Sequence, residues 1–166
     1  MPPPGDIRNV LTALADVEPL LSEMLSYRFS SGTGLAGHSL GNLILAGMTD
    51  ITGDFVTAVR ELSKVFAVRG QVLPAAGVAV TLRAEMEDGS IVVGESKIPE
   101  HGGRIKRVFL DPAHVEPLPE AVEAIRQADA ILIGPGSLYT SILPNLLVPK
   151  LAEAVCASKA IKIFIC

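Results

Sequence analysis

The sequence predicts an α/β fold with a mainly parallel sheet and a small antiparallel ribbon, and three observations carry that expectation. The last third of the chain alternates helix, strand, helix and strand, the order of a crossover that lays parallel strands side by side. Residues 78–110 change to a period of two and turn at Asp88-Gly89, the pattern of an antiparallel ribbon. Residues 130–145 read as a short apolar strand, a Gly134-Pro135-Gly136 turn and a helix start. In an open parallel sheet, ligands lie beyond the carboxyl ends of strands, against helix N-termini.

In chain order, Pro4-Gly5-Asp6 reads as a turn ending in an N-cap, followed by a short amphipathic helix with Val10, Leu11 and Leu14. Pro19 opens a second helix where its missing N–H costs nothing, with Leu20, Leu21, Met24 and Leu25 as its stripe. Residues 30–37 form a Gly/Ser-rich connection, and residues 39–48 return to a helical period. Thr52-Gly53-Asp54 caps another helix, in which Phe55, Val59, Leu62 and Phe66 recur on one face. Val78, Val80, Leu82, Ala84 and Met86 alternate as a half-buried strand, and the ribbon returns from Ile91 to Ile98. His101-Gly102-Gly103 turns again into a strand over 105–110. A proline-punctuated loop leads to a helix over 119–127. Ala130 to Ile133 has the length and branching of a fully buried strand. A helix then runs to about Ala157, and residues 161–166 make a last strand. No internal repeat or low-complexity tract interrupts the chain.

The length of 166 residues fits one domain with a sizeable core. A hydrophobic content of 49% without any run of about 18 apolar residues implies a buried sheet or a subunit interface, and a homo-oligomer is expected on the second of these. A net charge of −4 argues against a nucleic-acid partner, and the lack of a spanning segment against a membrane partner. Residues 1–6 have no basic or apolar character of a signal peptide. Cys156 and Cys166, without metal-ligand spacing, read as buried thiols of a cytoplasmic protein. The chain opens on a turn and stops at the end of a strand, so it reads as a single incomplete domain, truncated at both ends.

Three clusters could carry chemistry. At the glycine turn, Gly134, Gly136, Ser137, Leu138 and Thr140 offer backbone N–H groups and hydroxyls to a phosphate; the alternative is a hydroxyl that merely caps the helix. Gly37, His38, Ser39, Gly41 and Asn42 crowd polar groups before an apolar helix, either as a ligand-facing N-terminus or as a self-satisfied capping network. In Gly5, Asp6, Arg8 and Asn9, the arginine can fork onto phosphate and the carboxylate can hold a hydroxyl or hydrated magnesium. Residues 37–41 also satisfy G-x-S-x-G, but no strand precedes them, as a serine-hydrolase elbow requires. A triad drawn from Asp111 and His114 places its members implausibly close. Residues 32–37 satisfy G-x-G-x-x-G, again without the strand that a dinucleotide turn needs. Arg104, Lys106 and Arg107 read as a solvated strand face.

With these clusters in view, the sequence resembles the bacterial gluconeogenesis-factor family, relatives of the 2-phospho-L-lactate transferase that builds the deazaflavin coenzyme of methanogens and actinobacteria. The motifs are Pro-Pro-Gly-Asp-Ile-Arg-Asn (3–9), Leu-Ala-Gly-His-Ser-Leu-Gly-Asn-Leu (35–43), Ile-Thr-Gly-Asp-Phe (51–55), Val-Arg-Gly-Gln-Val-Leu-Pro (68–74) and Gly-Pro-Gly-Ser-Leu-Tyr-Thr-Ser (134–141). The transferase branch has an Asn-Pro pair after Gly-Pro-Ser, whereas Gly136-Ser137-Leu138-Tyr139 follows the gluconeogenesis-factor pattern. The family's opening strand with its Gly-Gly-Gly-Thr-Gly turn, and its segment beyond the last strand, are not in this chain.

The resemblance implies a Rossmann-like three-layer sandwich and a cytoplasmic regulator of cell shape and of growth on gluconeogenic carbon, binding UDP-sugars such as UDP-N-acetylglucosamine. The other branch implies magnesium-dependent transfer of phospholactate from a guanylyl donor to a deazaflavin acceptor. No catalytic residue and no certain cofactor is assigned. The expected site spans all three clusters, with phosphate near Gly136 to Leu138 and Thr140, sugar or base at His38 and Asn42, and Asp6 and Arg8 completing the phosphate or metal shell.

Overall fold

The structure, a computed structural model, describes residues 5–15 and 19–165. The chain divides between Pro74 and Ala75 into two compact units. It is mixed α/β, and each unit has its own apolar core.

The first unit is helical: α1 (Gly5–Leu14), α2 (Pro19–Ser26), α3 (Leu40–Thr52) and α4 (Phe55–Val65). Ser39 caps α3, its Oγ accepting the Asn42 backbone N–H at 3.2 Å. Gly53 ends α3 in the left-handed region, and Asp54 Oδ2 accepts the Thr57 N–H at 2.7 Å to start α4. The predicted face of α4, Phe55, Val59, Leu62 and Phe66, is wholly buried with Leu11, Leu25 and Leu45. The stripe of α2 is narrower than expected, since Leu20 and Met24 are exposed and only Leu25 is fully covered. Val10 and Leu14 are likewise exposed. The reading of Gly5-Asp6 as the end of a turn, with Asp6 as N-cap, is corrected: the helix already begins at Gly5, and Asp6 sits in its first turn, where a carboxylate suits the dipole. Pro4 lies outside the described residues.

Residues 27–39 form a loop closed on itself. Arg28 and Ser39 make an antiparallel bridge. Beside it, Gly37 donates to the Phe29 carbonyl at 2.8 Å and Leu40 to the Tyr27 carbonyl at 2.9 Å.

The second unit holds a three-stranded antiparallel sheet, order β2-β1-β3, of β1 (Thr81–Met86), β2 (Ile91–Val93) and β3 (Ile105–Asp111). Leu82, Ala84 and Met86 of β1 point into the core as their alternation predicts, while Val78 precedes the strand and is exposed. At the hairpin, Asp88 Oδ1 accepts from the Ser90 N–H and hydroxyl, which lowers its pKa. The predicted return strand does not reach Ile98. That side chain is buried in a five-residue helix, α5 (Lys97–His101). Pro99 sits in its first turn, where it needs no N–H, whereas in a strand it would remove a ladder bond.

Helix α6 (Pro119–Gln127) leads into β4 (Ala130–Ile133), which pairs in parallel with β5 (Ile161–Phe164). Among the described residues this is the one parallel pairing. The expectation that β4 is fully buried is corrected, because Ala130 is exposed and Leu132 retains 59% of its accessibility. A strand is buried only by its neighbours, and among the described residues β4 pairs with β5 alone. The expected continuous helix after the glycine turn is instead three pieces. They are a π-helical turn (Leu138–Ile142), α7 (Leu143–Leu146) and α8 (Pro149–Ala157). The break precedes Pro149, whose ring keeps Val148 extended (ψ 106°). Cys156, expected to be buried, is exposed, and Cys166 lies outside the described residues.

On the antiparallel sheet, Glu85 receives Lys106 Nζ and Arg107 Nε, each at 2.6 Å, across the β1–β3 ladder. These hydrogen bonds lower the Glu85 pKa. Arg104 carries no such pair among the described residues, so the face is solvated as predicted but cross-linked.

Leu45→Ala empties a fully buried site in α3 and is expected to cost about 2–5 kcal/mol in urea unfolding. Ile51→Ala, at a side chain 81% exposed, is expected to stay within about 0.5 kcal/mol. A depressed carboxylate pKa stabilises above its unfolded value, and that support is lost as pH falls through the folded one. The gap in urea midpoint between wild type and Glu85→Gln is therefore expected to be full at neutral pH and to close below about pH 4.3. A gap unchanged in acid would show that the Lys106 and Arg107 pairing is not its source.

Candidate functional site

In the first unit, two of the three predicted clusters meet. Gly41, on the first turn of α3, is buried against the Arg8 side chain of α1 and the backbone of α2. A Cβ at Gly41 would stand 2.6 Å from the Leu25 carbonyl oxygen and 2.9 Å from Arg8 Cγ and Cδ. Glycine is required here by close approach rather than by backbone conformation. The Arg8 stem thus lies flat on the start of α3, beside the Ser39 cap.

The polar atoms of this corner are incompletely satisfied. Among the described residues, Arg8 Nε and Asn42 Oδ1 are both covered and lack a hydrogen-bond partner. Arg8 Nη2 donates to Asn9 Oδ1, and burial, followed by the nearby Arg28 charge, lowers the Arg8 pKa. Covered polar groups cost stability while unpaired, and a ligand is one way to pair them. Ser39 is fully buried and occupied as a cap. His38 is exposed, and its backbone groups are engaged with Phe29 and Leu35. Asp6 and Asn9 are exposed on α1. Residues 30–36 form turns rather than a strand, so neither the hydrolase elbow nor the dinucleotide turn has its context. Asp111, the imagined triad acid, pairs with Arg83.

The third cluster belongs to the second unit. Gly134 follows β4 at φ +98°, and a Cβ there would stand 2.7 Å from the Ile165 carbonyl oxygen, so glycine lets the two chain segments touch. Ser137 caps the π-helical turn, its Oγ 3.4 Å from the Thr140 N–H. Its carbonyl accepts the N–H groups of Ser141 and Ile142. Gly136, Ser137 and Leu138 are exposed, and Thr140 is half-buried. Capping is the arrangement present, while the exposed N–H side of the turn remains open to an anion. A groove of about 660 Å³ between α6 and α8, lined by Arg126, Lys150, Glu153 and Lys159, opens at the other end of this unit, before β4 and β5 begin. That is the wrong end of a parallel pair for a ligand.

Among the described residues no three His, Cys, Asp or Glu side chains converge as metal ligands. No helix of the described residues is long and apolar enough to cross a membrane. No local motif singles out Arg28; its bridge to Ser39 and its hydrogen bond to the Gly37 carbonyl bring it beside the site.

The family model described as 2-phospho-L-lactate transferase CofD matches residues 1–166, and the chain belongs to that family. Within it, the chain is 66% identical over all of its 166 residues to the gluconeogenesis factor of Bacillus subtilis, and 62% identical to that of Halalkalibacterium halodurans, covering 52% of each. A crystal structure of a protein from Bacillus halodurans superposes with a TM-score of 0.91 at 62% identity, over 99% of this chain and 53% of that one. The chain spans about half the length of the curated relatives it matches.

Gly41→Ala is expected to destabilise by about 1–3 kcal/mol, because the Leu25 carbonyl cannot yield as a side chain would; thermal unfolding measures it. Ser39→Ala is expected to cost about 0.5–2 kcal/mol through its lost cap. A fluorophosphonate probe is expected to leave Ser39 unlabelled, and labelling would revive a hydrolase.

Proposed function

We propose that this chain is the part of a gluconeogenesis factor that contributes to a nucleotide-sugar site. In this reading it serves a cytoplasmic regulator of cell shape and of growth on gluconeogenic carbon. The names of its relatives support the reading. The observation that carries it is that, among the described residues, the covered Arg8 Nε, on a stem packed against Gly41, and the covered Asn42 Oδ1 have no hydrogen-bond partner. A guanidinium held in this way suits a phosphate. His38 and Asn42 would take sugar or base, and Asp6 and Asn9 would edge the site. In the second unit, Gly134, Gly136, Ser137, Leu138 and Thr140 would supply N–H and hydroxyl donors of their own. The two units are read as parts of one Rossmann-like domain, which the family match across the whole chain supports. Self-association into a homo-oligomer belongs to the same proposal.

A second reading, transfer of phospholactate from a guanylyl donor, rests on the description of the family model. Magnesium would meet one exposed carboxylate, Asp6, and no preformed group of ligands among the described residues. No step is derived through the metal.

Calorimetry with UDP-N-acetylglucosamine on a chain of full family length is expected to show binding that Arg8→Gln weakens about tenfold, or about 1.4 kcal/mol. Combined Ser137→Ala and Thr140→Ala is expected to weaken it several-fold. Unchanged binding in the double variant would remove the glycine turn from the site. GMP released from a guanylyl donor in the presence of deazaflavin acceptor would favour the transferase instead.

A further inference from the structure

We propose that Arg28 is a second anion-holding side chain, which with Arg8 makes the first unit a receptor for a phosphate-type polyanion such as a diphosphate. The proposal rests on the nucleotide-sugar reading above and narrows it to the chemistry of one group.

Arg28 stands in a short extended segment whose side chains alternate. Tyr27 and Phe29 pack edge to face, with centroids 5.2 Å apart, and so occupy one side of it. Arg28 emerges on the other side, opposite Ser39 in the backbone bridge. Its Nη1 donates to the Gly37 carbonyl at 3.0 Å. The Arg8 stem lies on Gly41, four residues further on. Both guanidinium side chains therefore sit against one five-residue segment that leads into α3.

Their charges are near enough for Arg28 to depress the Arg8 pKa, in addition to burial. Among the described residues neither guanidinium has a carboxylate partner. Two like charges held together without a counter-charge repel, and an anion between them reverses the sign of that interaction. Of its five N–H donors Arg28 uses one on Gly37, and the Arg8 Nε is unspent. Two planar forks suit two neighbouring phosphoryl groups better than one carboxylate.

Calorimetric titration of the full-length protein with inorganic pyrophosphate tests this. Arg28→Gln is expected to weaken pyrophosphate binding at least tenfold, Arg28→Lys by less, and Lys64→Gln, the same charge change on α4, by less than twofold. Pyrophosphate binding unchanged in Arg28→Gln, or absent in the wild type, would overturn the proposal. Should Arg28→Gln fail to fold, phenylglyoxal modification of the wild type followed by peptide mapping takes its place. Pyrophosphate is expected to protect Arg28, and unprotected modification would overturn its role. Parallel titration with UDP-N-acetylglucosamine separates the two claims. Pyrophosphate binding that needs Arg28, without sugar-nucleotide binding, sustains this proposal and ends the nucleotide-sugar reading. Sugar-nucleotide binding indifferent to Arg28 does the reverse.

Discussion

Gly41 has no room for a side chain: a carbonyl oxygen of α2 and the aliphatic stem of Arg8 occupy the place where a Cβ would be. The helical unit is arranged around this contact, because it sets how closely α1 and α2 approach the first turn of α3. It also decides where a charge goes. By filling the space over Gly41, the Arg8 stem carries its guanidinium to the capped end of a helix, where partial positive charge is already concentrated. An arginine placed there is poorly explained by stability alone. Among the described residues its Nε is covered without a partner, and its charge lies near that of Arg28.

The second unit places its own glycine by the same logic. Gly134 ends β4 where the backbone after β5 passes at contact distance, so the turn to Ser137 begins within van der Waals reach of the next strand's end. Beyond it the chain enters a π-helical turn and then two short helices separated ahead of Pro149, which keeps Ser137 and Leu138 at the surface. Both units thus use a glycine as a contact and place donors next to it. One does so with guanidinium groups and the other with backbone N–H groups and hydroxyls.

Much of the local chemistry was legible, though not the start of α1 at Gly5 or the break ahead of Pro149. The Asp54 cap, the Asp88-Gly89 hairpin and the Pro119 start lie where their side-chain chemistry requires them. Four other failures share one cause. The length of the strand after Ile91, the exposure of Leu132 and of Cys156, and the narrow stripe of α2 all depend on what lies alongside. Periodicity describes one element and is silent about its neighbours. Of the candidate site, Arg8, Ser39 and Asn42 could be picked out by residue type and motif, but Arg28 could not, because its proximity comes from a backbone bridge and a hydrogen bond to residues about ten further along the chain.

By itself, then, the sequence determined the mixed α/β class, most helix starts and the family, because these follow from capping, turn chemistry and motifs read along the chain. The tertiary structure alone decided that Arg8 and Gly41 touch, that Ser39 is fully buried as the cap of α3 and that Arg28 lies near Arg8 with no carboxylate partner for either among the described residues. The physical reason is that close approach and uncompensated charge are properties of pairs of residues distant in the chain, and no single residue carries them.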